Sequence, residues 1–189
     1  MSKPLVCAVA AMDENRVIGN GNKLPGWDIP EDLEMVKELT KGCPLIMGRA
    51  TFESIHQYRD SDPKLGAAWP NRLNIVVSKQ NEYFRQGKID NVCLVNTPEN
   101  ALNVARDFAS KARIEKIFIF GGGTIYKALR PKTERLYLTE VEGSFDGDVY
   151  FPEFKDDGRW QCTDSDQQNN GRHKYAFNAY DQVRPFLRP

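Results

Sequence analysis

The stretch Ile117-Phe118-Ile119-Phe120-Gly121-Gly122-Gly123 constrains the fold most. Four apolar residues stand in a row with no alternation of apolar and polar positions. A short run of β-branched and aromatic residues suits a strand buried on both faces. Three glycines follow; Ile125, Ala128 and Leu129 then recur at helical spacing, and Pro131 closes the segment. The chain therefore runs from a central strand through a bare turn into a helix. Such a turn lets backbone approach a ligand closely, and a helix start offers free N–H groups and a positive dipole end to an anion. A single glycine would be explained by a connection that needs positive φ. Three in a row behind a fully apolar strand favour a ligand site. The run is neither GxGxxG nor a Walker loop, so the usual nucleotide motifs do not explain it.

Other segments fit the same plan. Leu5 to Ala11 reads as a second buried strand, and residues 12–22 as a long irregular loop rich in Asn and Gly, of the kind that forms lids. Pro30 suits the first turn of a helix with Leu33, Val36 and Leu39 on one face, Met35 on its flank and Asp32 in its first turn. Cys43 to Met47 is a third strand, followed by Gly48-Arg49 and a helical segment. Residues 56–71 read as an irregular surface excursion. Arg72 to Val77 and Val92 to Val95 are further strands. Thr97-Pro98-Glu99 starts a helix with Ala101, Leu102, Ala105, Phe108 and Ala109 on one face. Leu136, Leu138 and Val141 alternate along another strand, and 159–166 with 173–182 form a hairpin around Asn169-Asn170-Gly171. The expected fold is α/β: one domain over 1–189, with a mostly parallel mixed sheet of about eight strands, an antiparallel C-terminal hairpin and about four flanking helices.

Composition excludes several classes. Twenty-six basic residues balance 26 acidic ones, so neither nucleic acid nor an acidic membrane surface is implied as a partner. The four cysteines lie far apart without a CxxC, which reads as free thiols in a reducing cytoplasm. Two histidines, without ligand-spaced partners, give no case for a catalytic metal or a Ser-His-Asp triad. The N-terminal apolar run meets Asp13 and Glu14 too soon for a signal peptide or a membrane span.

In open α/β sheets ligands collect at the carboxyl ends of the strands. Ala10-Ala11, Gly48-Arg49-Thr51, Ser78-Lys79 and Gly121 to Gly123 all fall there. Arg49, Ser78 and Lys79 would suit a phosphate, and the glycine turn a pyrophosphate. Each cation alone reads as a solvated charge; their shared position is the argument. Asp32 alone reads as a dipole-stabilised first-turn acid. With Trp27, Pro30 and an apolar helix face around it, it becomes a candidate for a desolvation-shifted acid.

These residues together resemble dihydrofolate reductase. The motifs run in the family's order: Ala11 with Val17-Ile18-Gly19, Leu24-Pro25-(Gly26)-Trp27, Pro30-x-Asp32-Leu33, Ile46-Met47-Gly48-Arg49-x-Thr51-Phe52-Glu53-Ser54-Ile55, Pro70-x-Arg72-x-Asn74, Gly121-Gly122-Gly123 with Tyr126, and Asp146-Gly147-Asp148 before Phe151-Pro152. The resemblance implies NADPH-dependent reduction of 7,8-dihydrofolate to tetrahydrofolate, with hydride added at C6 and a proton at N5, in support of one-carbon and thymidylate metabolism. It implies dihydrofolate and antifolate inhibitors as small-molecule partners, and a cytoplasmic monomer. Asp32 would pair with the pterin's N3 and 2-amino group and favour N5 protonation through water. Trp27 would hold that water, and Thr139 would bond the Asp32 carboxylate or the pterin amino group. The carbonyls of Val9 and Phe120 would line the pterin edge. Leu33, Val36, Ile55 and Trp69 would line the substrate cleft, and Arg72 would fork onto the glutamate α-carboxylate. Ala11 and Ile18 would hold the nicotinamide carboxamide; Gly19, Asn22 and Leu24 belong to the lid over it. Arg49, Ser78 and Lys79 would meet the 2′-phosphate, with Ser54 and Val77 nearby. Thr51, Gly121, Gly122, Gly123, Thr124, Ile125 and Tyr126 would cradle the pyrophosphate. In the family the Gly121–Gly122 bond is cis, and Gly19 bonds the loop that carries Asp148.

The chain departs from the family's pattern at Gly26, inserted before Trp27; at Ala50, where many members carry a basic residue; at Phe120 and Val36; and in an insertion over residues 57–68. The nearest rival enzyme is the reductase of riboflavin biosynthesis, which would need neither Asp32 with Trp27 nor Arg72. A catalytically idle relative would have lost the acid, and Asp32 is present.

Overall fold

The computed structural model describes residues 3–21, 23–60, 69–80, 91–156 and 158–183, with backbone alone for 56–60. Ten strands and four α-helices follow in order: β1 (Leu5–Asp13), β2 (Val17–Gly19), α1 (Pro30–Leu39), β3 (Leu45–Gly48), α2 (Arg49–Asp60), β4 (Asn74–Val77), β5 (Val92–Val95), α3 (Pro98–Ala112), β6 (Lys116–Gly121), α4 (Gly123–Leu129), β7 (Arg135–Val141), β8 (Val149–Tyr150), β9 (Trp160–Asn169) and β10 (Lys174–Gln182). Eight of the strands form one sheet in the order β5-β4-β3-β6-β1-β7-β10-β9. Pairing is parallel from β5 to β7 and antiparallel at β10 and β9.

The central run behaves as its composition demands. Ile117 and Ile119 pack towards α3 and α4, with Ala101, Ala105, Ile125 and Leu129. Phe118 points the other way, with Val36 of α1 and Phe52 of α2. Successive side chains of one strand thus enter two separate cores, which is why no polar residue interrupts the run. α3 starts on Thr97, whose side chain accepts the Asn100 amide, with Pro98 in the first turn.

Several expected boundaries move. β3 begins at Leu45 rather than Cys43, and β4 at Asn74 rather than Arg72. Arg72 follows a turn in which Asn71 has φ 59°, so it lies outside the ladder. Residues 56–60, expected to be irregular, continue α2 to Asp60. Most of the expected insertion, residues 61–68, and Asn22 lie outside the described residues. β1 runs on to Asp13, and the expected loop at 12–22 contains β2, which pairs antiparallel with β8 as a separate ribbon. Of the apolar face of α1, only Val36 is buried; Leu33 and Leu39 are half-buried.

Candidate active site

Parallel pairing gathers the strand ends. Gly48 pairs with Val77, Met47 with Gly121, and Ala11 with Thr139. Residues far apart in sequence therefore share one rim, and α1 flanks it.

Asp32 sits in the first turn of α1, with most of its surface covered. Thr139, fully buried on β7, donates its hydroxyl to Asp32 Oδ1 at 2.5 Å. Burial pushes the Asp32 carboxyl above the ordinary carboxylate range, and the Thr139 bond opposes that rise without cancelling it. Its charged form also acts on two phenols: burial first, then Asp32, raises Tyr126, and burial, Glu31 and Asp32 raise Tyr175. Trp27 packs edge-on against Phe145, with centroids 5.1 Å apart, in a cluster with Ile29, Val141 and Tyr175. An acid so placed can hold its proton at a higher pH than an exposed aspartate. It can also accept N–H groups from a planar heterocycle while Thr139 fixes its orientation.

The carbonyl of Val9, expected at the pterin edge, accepts the Tyr126 hydroxyl at 2.6 Å. Tyr126, expected at the pyrophosphate, is itself buried, and its ring crosses beneath the glycine turn: a Cβ on Gly121 would come within 3.0 Å of it. Gly121 has φ +111°, and its bond to Gly122 is cis.

A second part of the cleft joins α1 to the 69–72 turn. Trp69 is 9% exposed, shares one buried cluster with Val36 and Phe52, and meets Phe120 edge-on at 5.5 Å. Arg72 lies over the Trp69 ring at 5.3 Å. Its Nε donates to the Thr40 carbonyl and hydroxyl, each at 3.0 Å, and Nη1 to the Pro70 carbonyl at 2.8 Å, while Nη2 bonds the Lys37 carbonyl. Two of these carbonyls close α1, so the negative end of that helix orients the guanidinium. Ile55 is half-buried beside the same cluster.

On the other side, Ala11 and Ile18 are half-buried. The Gly19 carbonyl accepts the Asp148 amide at 3.1 Å, and the Gly21 amide donates to Asp148 Oδ1 at 2.8 Å, so β2 is clamped onto the loop before β8. Leu24 stands 63% exposed above the rim. Gly26 is exposed, and a Cβ there would meet open space, so the inserted residue bulges outwards.

The rim fits a phosphorylated dinucleotide. A Cβ on Gly122 would come within 3.3 Å of Thr51 Oγ1, so bare backbone faces a hydroxyl there. α4 opens at Gly123 and Thr124, whose amides belong to the unpaired first turn of a helix. Arg49 and Lys79 follow the paired residues Gly48 and Val77; Arg49 also bonds Glu53 at 2.8 Å. Ser78 differs: its hydroxyl donates to the Gln80 carbonyl at 2.9 Å and accepts the Gln80 amide at 3.0 Å, so it is committed to its own turn. Ser54 and Val77 are half-buried.

Sequence reasoning missed the Tyr126–Val9 bond and the role of Phe145 behind Trp27. Neither has a local signal, because each joins segments more than a hundred residues apart.

Comparison with known proteins agrees with this geometry. The dihydrofolate reductase family matches residues 5–184. A dihydrofolate reductase from Bacillus subtilis is 35% identical over 94% of this chain and 95% of its own. Dihydrofolate reductase HdrB of Haloferax volcanii is 33% identical over 94% of this chain and 83% of its own. A solved dihydrofolate reductase from Enterococcus faecalis, complexed with NADP(H) and RAB-propyl, superposes with a TM-score of 0.77 at 28% identity, covering 96% of this chain and 98% of that one.

Proposed function

The chain belongs to the dihydrofolate reductase family, whose reaction is the NADPH-dependent reduction of 7,8-dihydrofolate to 5,6,7,8-tetrahydrofolate, and we propose how its own residues divide that work. Bound at the strand-end rim, NADPH would supply the hydride for C6 of the substrate. Asp32 binds the pterin N3 and 2-amino group and raises the proton affinity at N5, with Trp27 holding the water that relays the proton. Thr139 keeps Asp32 in the one orientation that permits this. The observation that carries the reading is the desolvated Asp32 carboxylate, held by a buried hydroxyl on the strand next to β1. Burial raises the proton affinity of this carboxyl above that of an exposed acid, and the Thr139 hydroxyl holds it in place.

The remaining residues bind. Leu33, Val36, Ile55 and Trp69 line the cleft for the aminobenzoyl ring, the Phe120 carbonyl lines the pterin edge, and Arg72 takes the glutamate α-carboxylate as a fork already oriented by α1. Ala11 and Ile18 would hold the carboxamide of NADPH. Thr51 and the turn at Gly121 to Gly123 would hold its pyrophosphate, and Arg49 with Lys79 its 2′-phosphate. We infer one domain over residues 1–189, supported by the single eight-stranded sheet. A monomer is supported by the edge strand β9, whose exposed polar residues discourage pairing with another chain. A cytoplasmic location is supported by free cysteines, two of them buried.

Asp32→Asn tests the reading. It should keep NADPH binding and lose most dihydrofolate turnover at neutral pH, read by NADPH absorbance. Full turnover in that variant would remove Asp32 from the mechanism.

A further inference from the structure

Asp13 is 1% exposed, and the division of work above gives it no part. It closes β1, two residues beyond Ala11. Its Oδ1 accepts the amides of Asn15 at 2.9 Å and Val17 at 2.7 Å. Its Oδ2 accepts the amide of Phe145 at 2.9 Å. The first two bonds belong to a local turn, in which the Arg16 amide also reaches the Asp13 carbonyl at 2.9 Å. A turn needs nothing more. The third bond crosses 132 residues and is not explained by local structure.

Two of the three amides belong to segments that carry part of the site. Val17 opens β2, next to Ile18. Phe145 sets its ring edge-on against Trp27. We propose that Asp13 is a positioning residue for the reduction: its carboxylate ties the nicotinamide-side strand β2 to the loop that supports Trp27, so that the two walls of the reacting cleft keep one spacing. The proposal rests on the roles assigned above to Ile18, Trp27 and Asp32.

The chemistry requires a carboxylate. Ionised, it only accepts, with lone pairs enough for three donors. Asparagine has the same shape but presents an NH2 on one side. That NH2 faces either the Phe145 amide or the amides of Asn15 and Val17, and a buried N–H then stands against another donor. The seam has no room to adjust. A Cβ on Gly147 would meet Val17 Cγ1 at 2.3 Å and the Gly19 carbonyl at 2.5 Å, so the loop lies on β2 at backbone distance. Exposed bonds line the same seam, such as Asn15 Nδ2 to Ser144 Oγ at 2.9 Å, and water can replace them. Water cannot replace the buried acid.

The test is single-turnover hydride transfer as a function of pH, in Asp13→Asn, Phe145→Leu and the pair, with Asp32→Asn as reference. Asp13→Asn should slow transfer roughly tenfold and shift the midpoint of its pH profile, because Phe145 no longer fixes the Trp27 ring it meets edge-on. Phe145→Leu, which leaves every Asp13 bond possible, should shift the midpoint the same way, and the pair should lose little beyond the worse single variant. A wild-type rate and midpoint in Asp13→Asn, measured below its melting temperature, would make Asp13 purely structural and overturn the proposal. So would additive losses. If Asp13→Asn does not fold, an unshifted profile in Phe145→Leu overturns it alone. Loss of rate in Asp32→Asn with none in Asp13→Asn sinks only the positioning role; no loss in Asp32→Asn sinks the proposed function itself.

Discussion

Trp69→Leu should raise the dihydrofolate KM and lower stability at the same time. The structure gives the terms. The edge-on pair with Phe120 contributes about 0.5–1.5 kcal/mol beyond its buried area. Arg72 over the ring adds about 0.5–1 kcal/mol or more. Against these, the indole Nε1 is buried with no partner among the described residues. An unmet donor costs about 1–3 kcal/mol, and leucine removes it. Leucine also leaves part of the indole's buried volume empty, so folding stability falls, by less than the lost burial alone would give. On the proposed reading binding falls too, because the ring that steadies Arg72 beside the aminobenzoyl site is gone. A loss of about 1–3 kcal/mol corresponds to roughly a five- to 150-fold rise in KM. Val36, 6% exposed in the same cluster, supplies the partner variant. Val36→Phe alone overpacks the cluster, at about 1–3 kcal/mol. Combined with Trp69→Leu it refills the vacated volume and should restore much of the KM. Steady-state kinetics and urea unfolding of the wild type, both singles and the double complete the cycle. Additive effects on KM, or an unchanged KM in Trp69→Leu, would refute the idea that Trp69 and Val36 serve one shared contact with the substrate ring.

Asp32 also sets a stability test: its folded pKa lies above its unfolded one, so the native state binds more protons between the two, and stability falls as pH rises through that window. Asp32→Asn should therefore melt higher than wild type at neutral pH, with the gap closing below about pH 4, and an equal or lower melting temperature at neutral pH would contradict the desolvated acid. Arg49→Glu with Lys79→Glu should raise the KM for NADPH far more than that for NADH; equal losses would mark both as solvated surface charges. Burial pushes the Cys7 thiol up to about 12 and raises Cys43 as well, whereas Cys162 is exposed. A thiol reagent at mildly alkaline pH should label Cys162 first and reach Cys7 only on unfolding; early labelling of Cys7 would show that its core opens.

Much of the fold was legible in the sequence because the buried strands carry their own signature. Ile117 to Phe120 could serve two cores only as an uninterrupted apolar run, and the glycines after it mark the turn. The β2–β8 ribbon was not legible: strands of three and two residues are too short to show a period, and only close packing at Gly147 and the Asp148 clamp bring them together. The end of α2 was missed because the sequence His56-Gln57-Tyr58-Arg59-Asp60 carries no apolar residues at helical spacing. Asp32 could be picked out as an acid in apolar company, but its bond to Thr139 spans 107 residues and came only through the family resemblance. Asp13 looked like any loop aspartate, since its decisive partner lies in another segment. The Ser78 hydroxyl read as a phosphate ligand from its place at a strand end; its turn to Gln80, two residues on, carried no signal in the sequence.

On the proposed reading, Asp32 is the group that makes N5 protonation possible near neutral pH. The most direct measurement is the pH dependence of the hydride-transfer rate from NADPH to 7,8-dihydrofolate, from about pH 8 down to about pH 5, in wild type and Asp32→Asn. Wild type should hold its rate towards neutral pH, and Asp32→Asn should be slow there and recover as acid solvent protonates the substrate. Two superimposable profiles would contradict the account.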